Sequence, residues 1–361
     1  REIAFSHQLP VGTPSTEEFS VGNTGNAKVK VQVITIAQSE KVEMSFEPQL
    51  TVLTKGRACT FSLTVTPLCT CSFDETVLLV VLDNKKETRI KMKIKGTSQV
   101  STSLHYSDVF LEEKVGQGSF GIVYKGTFRG NLVAIKKMKE VGVSQESMAE
   151  FEKEVAMLDK FRCDFVVYFF GACTIPNHVM MVTEFAPCGS LMDCIKKRAE
   201  PSDAIKAKVM LDAAKGLEYL HENGILHRDI KPDNVLVFSL DEVITVNGKL
   251  TDFGSSRNVN MLMTNMTFTK GVGSPTYMAP EVLNKEKYKK AADVYSFAIA
   301  MFECFKWGDA YEKEIFKYPW DVVTFVSRGD RLAKPDDFSD SIFSIITQCW
   351  VENAKDRPGL F

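Results

Sequence analysis

Along the first hundred residues apolar and polar side chains alternate. Val29-Lys30-Val31-Gln32-Val33, Phe61-Ser62-Leu63-Thr64-Val65 and Ile90-Lys91-Met92-Lys93-Ile94 each carry an apolar residue at every second position. A period of two turns one face of a segment to a core and the other to water, so these segments read as β-strands. Turn-forming residues fall at Pro10 to Pro14, Gly22 to Gly25, Pro48, Gly56, Pro67 and Asp83-Asn84. They divide the region into about seven short strands with no helix, as in an all-β sandwich. A polar stretch rich in Ser and Thr, Gly96 to Tyr106, ends the pattern. Beyond it strand-like runs continue to Leu132–Lys136, and then the period changes. Met148, Phe151, Val155 and Leu158 recur at three and four, which predicts a helix; further strands reach Phe185, and mostly helices follow. Ile205, Val209, Leu217 and Leu220 line one side of a longer helix that Gly224 can close. The expected organisation is a multidomain chain: a β-sandwich over 1–97, a linker over 98–105, and an α+β region over 106–361. That region has a strand-rich small lobe (106–186) and a helical large lobe (187–361).

Composition narrows the function classes. The 361 residues are 44% hydrophobic and 25% charged, the balance of a globular protein with a sizeable core. Basic and acidic residues nearly cancel, 44 against 46, so no strong field favours nucleic acid or an anionic membrane. The nine cysteines form no C-x-x-C pair and only five histidines are present, which points away from disulfides and zinc and towards a reducing, cytoplasmic setting. Cys69-Thr70-Cys71 is too tight for usual zinc spacing and reads as free thiols. The richest apolar run, Phe297 to Phe305, contains Glu303 and is too short to span a bilayer, so a buried helix is expected there. The chain begins at Arg1 rather than Met. It is therefore expected to be a piece of a longer protein, with membrane attachment only through a segment upstream.

Gly116-Gln117-Gly118-Ser119-Phe120-Gly121-Ile122-Val123 fits G-x-G-x-x-G-x-V. A dinucleotide fingerprint would open a helix, but Val123-Tyr124-Lys125 and Leu132 to Lys136 continue as strands. A glycine hairpin folded over phosphates fits better, its backbone N–H groups approaching closely and Phe120 shielding them. Val133-Ala134-Ile135-Lys136 is an apolar strand ending in a charge. If Lys136 is buried it needs an anionic partner, for which Glu154 on the Met148–Leu158 helix is the candidate; the alternative is a solvated strand end like Lys137. Glu150, Glu152 and Lys153 read as a solvated face. The most informative segment is His227-Arg228-Asp229-Ile230-Lys231-Pro232-Asp233-Asn234, followed by Asp252-Phe253-Gly254 and Ala279-Pro280-Glu281. Asp252 and Asn234 are hard oxygen ligands suited to Mg2+.

These segments, in this order, resemble the eukaryotic protein kinases, a resemblance that spans Tyr106 to Phe361. It implies a bilobal α+β kinase fold, ATP and Mg2+ as cofactors, and a protein substrate with a Ser or Thr acceptor. Asp229 would orient or accept the proton of the attacking hydroxyl, Lys231 would neutralise the transferred group, and Asn234 and Asp252 would hold the metal. Gly116 to Gly121 with Val123 and Ala134 would enclose the nucleotide, and Lys136 held by Glu154 would grip its inner phosphates. Thr183 would stand behind the adenine, with Glu184 and Ala186 offering backbone hydrogen bonds. Lys231 and the Gly273-Ser274-Pro275-Thr276-Tyr277 approach are similar to Ser/Thr-specific enzymes, although the family usually has Thr where Ser274 stands. Phe170-Gly171 and Gly189-Ser190-Leu191 are similar to the tyrosine-kinase-like group, and the layout to protist receptor-like transmembrane kinases. Phe19-Ser20-Val21 with Asn23 and Gly25 resembles the start of immunoglobulin-like modules of the major-sperm-protein type, implying a protein partner for the sandwich; a plain Asn-Gly turn reads the same residues. Glu281–Arg357 is expected as a buried ion pair, Asp293 as a tie to the backbone near Arg228, and His227 as a packed residue stacked with Leu158 and Phe253. Asp233 is expected to be a solvated turn residue. Ser255, Ser256, Thr264, Thr267 and Thr269 are candidate phosphorylation sites whose phosphate Arg228 would receive. A pseudokinase scaffold is the rival reading.

Overall fold

The computed structural model describes residues 1–83, 86–117, 121–138, 145–197, 200–254, 256–258 and 275–360. The chain divides into two compact units, Arg1–Val143 with Phe170–Val182, and Ser144–Phe169 with Thr183–Phe361.

The first unit begins with the alternating strands. They are Glu2–Ala4 (β1), Ser15–Gly22 (β2), Val29–Thr35 (β3), Val42–Glu47 (β4), Leu50–Leu53 (β5), Ala58–Pro67 (β6), Ser72–Asp83 (β7) and Lys86–Thr97 (β8). One sheet has the order β1-β8-β7-β3-β5 and the other β2-β6-β4. Their inward residues, among them Val31, Val77 and Ile94 from one sheet and Phe61, Leu63 and Val65 from the other, form a single core. The eight strands exceed the expected number because β1 lies parallel to β8 over three residues, too short a run to show a period. Asn23 is buried and works as a staple: its Nδ2 donates to the Ala27 and Leu53 carbonyls at 2.8 and 3.0 Å, and its Oδ1 accepts from Gly25 N–H at 2.9 Å.

A third sheet follows in this unit, built from Val109–Gln117 (β9), Gly121–Phe128 (β10), Asn131–Met138 (β11), Phe169–Cys173 (β12) and Met180–Glu184 (β13), in the order β12-β13-β11-β10-β9. Residues 98–105 are hydrogen-bonded on both sides. Ser103 O accepts from Thr70 N–H at 2.8 Å, and Leu104 N–H and Thr102 O pair with Ala172 at 2.8 Å each, so a single parallel bridge, Ser103 with Ala172, ties this stretch to β12. Gly171 permits the approach: at its φ of +150° a Cβ would stand 2.3 Å from the Thr102 carbonyl oxygen. Ser side chains that mark the stretch as polar bond to backbone: Ser98 Oγ accepts from Cys71 N–H at 2.8 Å and Ser101 Oγ from Ser103 N–H at 3.2 Å.

In the second unit the helices are Gln145–Leu158 (α1), Leu191–Lys196 (α2), Asp203–Glu222 (α3), Pro280–Leu283 (α4), Lys290–Lys306 (α5), Pro319–Ser327 (α6) and Asp340–Cys349 (α7). Short strand pairs join Ile225–Leu226 (β14) to Arg257–Asn258 (β17), and Val235–Val237 (β15) to Gly248–Leu250 (β16). Ser202 caps α3 by accepting from Ile205 N–H, and beyond its end Gly224 takes a φ of +70°. On α1, Phe151, Glu154 and Leu158 are buried while Glu150, Glu152 and Lys153 are exposed. Helix α5 is buried along almost its whole length, from Ala292 to Phe305. Among the described residues no helix is long and apolar enough to cross a membrane, and the nine cysteines are free thiols.

Candidate active site

In the first unit the glycine segment forms an antiparallel hairpin of β9 and β10, not a strand running into a helix. Gly116 pairs with Val123, and Val123 pairs with Lys136 on β11, so the three occupy one row across the sheet. Ala134 lies two residues from Lys136 and shares its face. That face therefore presents two small apolar side chains and one ammonium. Gly121 is required sterically, since a Cβ there would lie 2.2 Å from the Lys137 carbonyl oxygen. The Gln117 side chain accepts a hydrogen bond from Lys114 Nζ at 2.8 Å. Gly118, Ser119 and Phe120 lie outside the described residues.

In the second unit the segment from His227 to Asn234 is held by one buried acid. Asp293, near the start of α5, is fully buried; its Oδ1 accepts from Arg228 N–H (2.9 Å) and Tyr288 Oη (2.8 Å), and its Oδ2 accepts from His227 N–H (3.0 Å) and pairs with His221 Nε2 (2.9 Å). Burial works to raise the Asp293 pKa, but the His221 hydrogen bond and charge with the backbone donors hold it below the usual range. These bonds support a strained backbone. Arg228 and Asp252 have φ of +71° and +61°, a left-handed geometry that costs a side-chain-bearing residue roughly 1–2 kcal/mol.

The strain places three polar groups together. Lys231 Nζ donates to Asp229 Oδ2 at 2.6 Å, and Asn234 Nδ2 donates to the Asp229 carbonyl at 2.7 Å and to Oδ2 at 3.0 Å. Asn234 is buried, and its carbonyl accepts from Thr251 N–H at 3.0 Å, which fixes Asn234 beside the residue before Asp252. Because its amide nitrogen is committed to Asp229, Asn234 presents Oδ1 as an oxygen donor. Asp252 adds carboxylate oxygens, one of them 3.5 Å from where a Cβ on Gly254 would stand, and the Glu154 carboxylate is 3.6 Å from the same point. Asp233 is exposed.

His227 is inaccessible to solvent, and burial lowers its pKa. Its Nε2–H donates to the Thr251 carbonyl at 3.0 Å, and its ring lies 5.4 Å from Phe253, with Leu158 also buried. It packs, as expected, rather than serving as a base. Arg357 makes a two-pronged pair with Glu281 at 2.7 and 2.8 Å. Ser256 departs from the expectation of a modification site: it is fully buried with its hydroxyl on the His227 carbonyl at 3.2 Å. Ser255, Thr264, Thr267, Thr269, Gly273 and Ser274 lie outside the described residues.

Thr183 and Glu184 end β13, and Ala186 follows, buried. The Glu184 N–H already donates to the Tyr168 carbonyl at 3.0 Å, and the Ala186 carbonyl accepts from Gly189 N–H at 3.1 Å. The Glu184 carboxylate binds Lys249 Nζ through both oxygens, at 2.7 and 2.9 Å. Lys249 was not singled out from the sequence. The rule applied to Lys136, that a charge on an apolar strand needs a partner, would have found it in Gly248-Lys249-Leu250.

Comparison with known proteins gives two family matches and three relatives. A family profile described as protein tyrosine and serine/threonine kinase matches residues 109–360, and one described as a HYDIN/CFA65/VesB-like, Ig-like domain matches residues 4–97. The dual specificity protein kinase shkB of Dictyostelium discoideum is 36% identical over 251 residues, covering 68% of this chain and 38% of its own length. Two others from that organism are the Probable serine/threonine-protein kinase gdt9, 29% identical over 93% of this chain and 23% of its own, and the RGS domain-containing serine/threonine-protein kinase A, 32% identical over 79% and 24%. The chain thus spans well under half the length of these relatives.

Proposed function

Because the chain belongs to the protein tyrosine and serine/threonine kinase family and carries an immunoglobulin-like domain ahead of it, we propose that it transfers the γ-phosphoryl group of ATP to Ser or Thr hydroxyls of a protein. The observation that carries this reading is the Asp229–Lys231–Asn234 cluster beside Asp252.

Two protein oxygens, from Asn234 and Asp252, suit Mg2+, which usually keeps waters and phosphate oxygens as its remaining ligands. Among the described residues no group of three His, Cys, Asp or Glu competes as a metal cage. When bound, the ion supplies positive charge against the phosphate oxygens. Asp229 takes the acceptor's proton as the new oxygen–phosphorus bond forms and the bond to the β-phosphate oxygen breaks, leaving ADP. Lys231, 2.6 Å from Asp229 Oδ2, orients that carboxylate and brings its charge near the transferred group. In this reading Lys136, with Glu154 as its anionic partner, takes the inner phosphates, and the segment Gly116 to Gly121 covers them. Glu184 offers its carbonyl and Ala186 its N–H to the adenine edge, since the opposite backbone group of each is already engaged; Thr183 stands behind the ring, and Val123 and Ala134 cover its face. The group is tyrosine-kinase-like, in a receptor-like protein whose sandwich binds a protein partner in a reducing cytoplasm. The match to gdt9 supports a shared two-domain layout, because 93% of this chain reaches into the sandwich.

Incubation with γ-labelled ATP and a generic protein substrate, followed by phosphoamino-acid analysis, tests this. Phosphoserine or phosphothreonine is expected. Phosphotyrosine alongside them would favour dual specificity, the class in the name of one relative, and no incorporation would favour the scaffold.

A further inference from the structure

Glu184 and Lys249 are joined by more than a surface ion pair. Their side chains are only 21% and 15% exposed, and Lys249 Nζ also lies 4.9 Å from the centre of the Phe238 ring. The Glu184 carboxylate accepts from Tyr168 N–H at 2.6 Å, while Glu184 N–H donates to the Tyr168 carbonyl at 3.0 Å. The segment before Tyr168 is laced to the end of β16: Val167 N–H donates to the Leu250 carbonyl and Leu250 N–H to the Phe165 carbonyl, both at 2.9 Å. Thr251 N–H then donates to the Asn234 carbonyl at 3.0 Å. A continuous polar frame therefore runs from Glu184 through Lys249 to Asn234 and Asp252.

Resting on the kinase reading above, we propose that Lys249 is a positioning residue for nucleotide binding. By gripping Glu184 it sets the adenine-recognising backbone in register with the metal-binding oxygens at the other end of the nucleotide. An ATP molecule engages both ends at once, so loss of register weakens its binding, whereas the groups that act on the bound phosphate stay in place. Without Lys249 the Glu184 carboxylate loses a partner that engages both its oxygens and keeps, among the described residues, the Tyr168 N–H; a part-buried carboxylate so weakened draws in water and shifts.

Steady-state kinetics on the full chain test the idea, with wild type, Lys249→Met, Lys249→Arg and Lys249→Gln compared at varied ATP. Lys249→Met is expected to raise KM for ATP about tenfold with kcat within about twofold, an effect on ground-state binding. Lys249→Arg, whose guanidinium also reaches two carboxylate oxygens, restores most of the affinity, and Lys249→Gln falls between. A merely structural role predicts the opposite split: fewer active molecules, hence lower apparent kcat at unchanged KM. That result, or failure of Arg to do better than Met, overturns the proposal. If Lys249→Met does not fold, Lys249→Gln decides, and an unchanged KM there overturns it. Absence of transfer by wild type would sink the kinase reading, whereas transfer by wild type with an unaltered ATP KM in the variants sinks only the role of Lys249.

Discussion

The sandwich core and the surroundings of the catalytic loop bury their residues for opposite reasons. Between the sandwich sheets the buried core cluster is apolar, with Phe61, Leu63, Val77 and Ile94 at or near zero exposure, and the buried Asn23 serves a turn. Around the loop the fully buried residues include Asp293 and His227, joined by hydrogen bonds to a backbone that is left-handed at Arg228 and Asp252. An apolar core tolerates a change in one contact because burial is summed over many. A polar network around strained backbone depends on each member, since a lost partner leaves a buried group unpaired. Stability is distributed in the first region and concentrated in the second, where the chemistry needs fixed geometry.

Two substitutions of similar size can break this contrast. Asp293→Asn and Phe61→Ala should each destabilise by roughly 3–5 kcal/mol in denaturant titrations, the first by disrupting a buried charge and the second by opening a cavity. Only Asp293→Asn should also abolish transfer per folded molecule, because it releases the Arg228 backbone. Equal loss of activity in both variants would erase the distinction.

A smaller effect should come from Glu303. Burial pushes its pKa up to about 7, against an ordinary 4.5, although Ala310 N–H and Tyr277 Oη bond the carboxylate at 3.1 and 2.7 Å. A carboxyl whose folded pKa is raised binds protons more tightly folded than unfolded. Its contribution is full below pH 4.5 and is lost as pH rises through about 7. Glu303→Gln should therefore gain on wild type by about 1–3 kcal/mol between pH 5 and 8, read from melts across that range. A pH-independent difference would contradict the assignment. Similar in size is the effect of Gly171→Ala, whose Cβ would stand 2.3 Å from the Thr102 oxygen. It should cost about 1–3 kcal/mol and raise amide exchange at Leu104 and Ala172, whose bonds tie residues 98–105 to β12.

The same contrast explains what could be read from the sequence. Alternation in β3, β6 and β8 and the three-and-four spacing on α1 and α3 are direct records of burial, so these elements were legible. β1 was not, because three residues carry no period. The backbone bonds made by residues 98–105 were hidden for another reason: their partners, Thr70 and Ala172, are distant in sequence and most side chains of the stretch are polar. In the catalytic loop hydrophobic pattern says little, and the motif residues were found through chemistry and resemblance. The roles of Glu281, Arg357 and Asp293 followed from that resemblance, but the other partners of Asp293, His221 and Tyr288, did not. Lys249 was missed although its setting on an apolar strand was as visible as that of Lys136.

The most direct test of the account is phosphate incorporation from γ-labelled ATP by wild type and by Asp252→Ala, measured side by side at saturating Mg2+ on a Ser/Thr protein substrate. Loss of the carboxylate proposed to hold the metal should reduce transfer by about 10²–10⁴-fold with the fold intact by circular dichroism. Equal incorporation by the two proteins would contradict it.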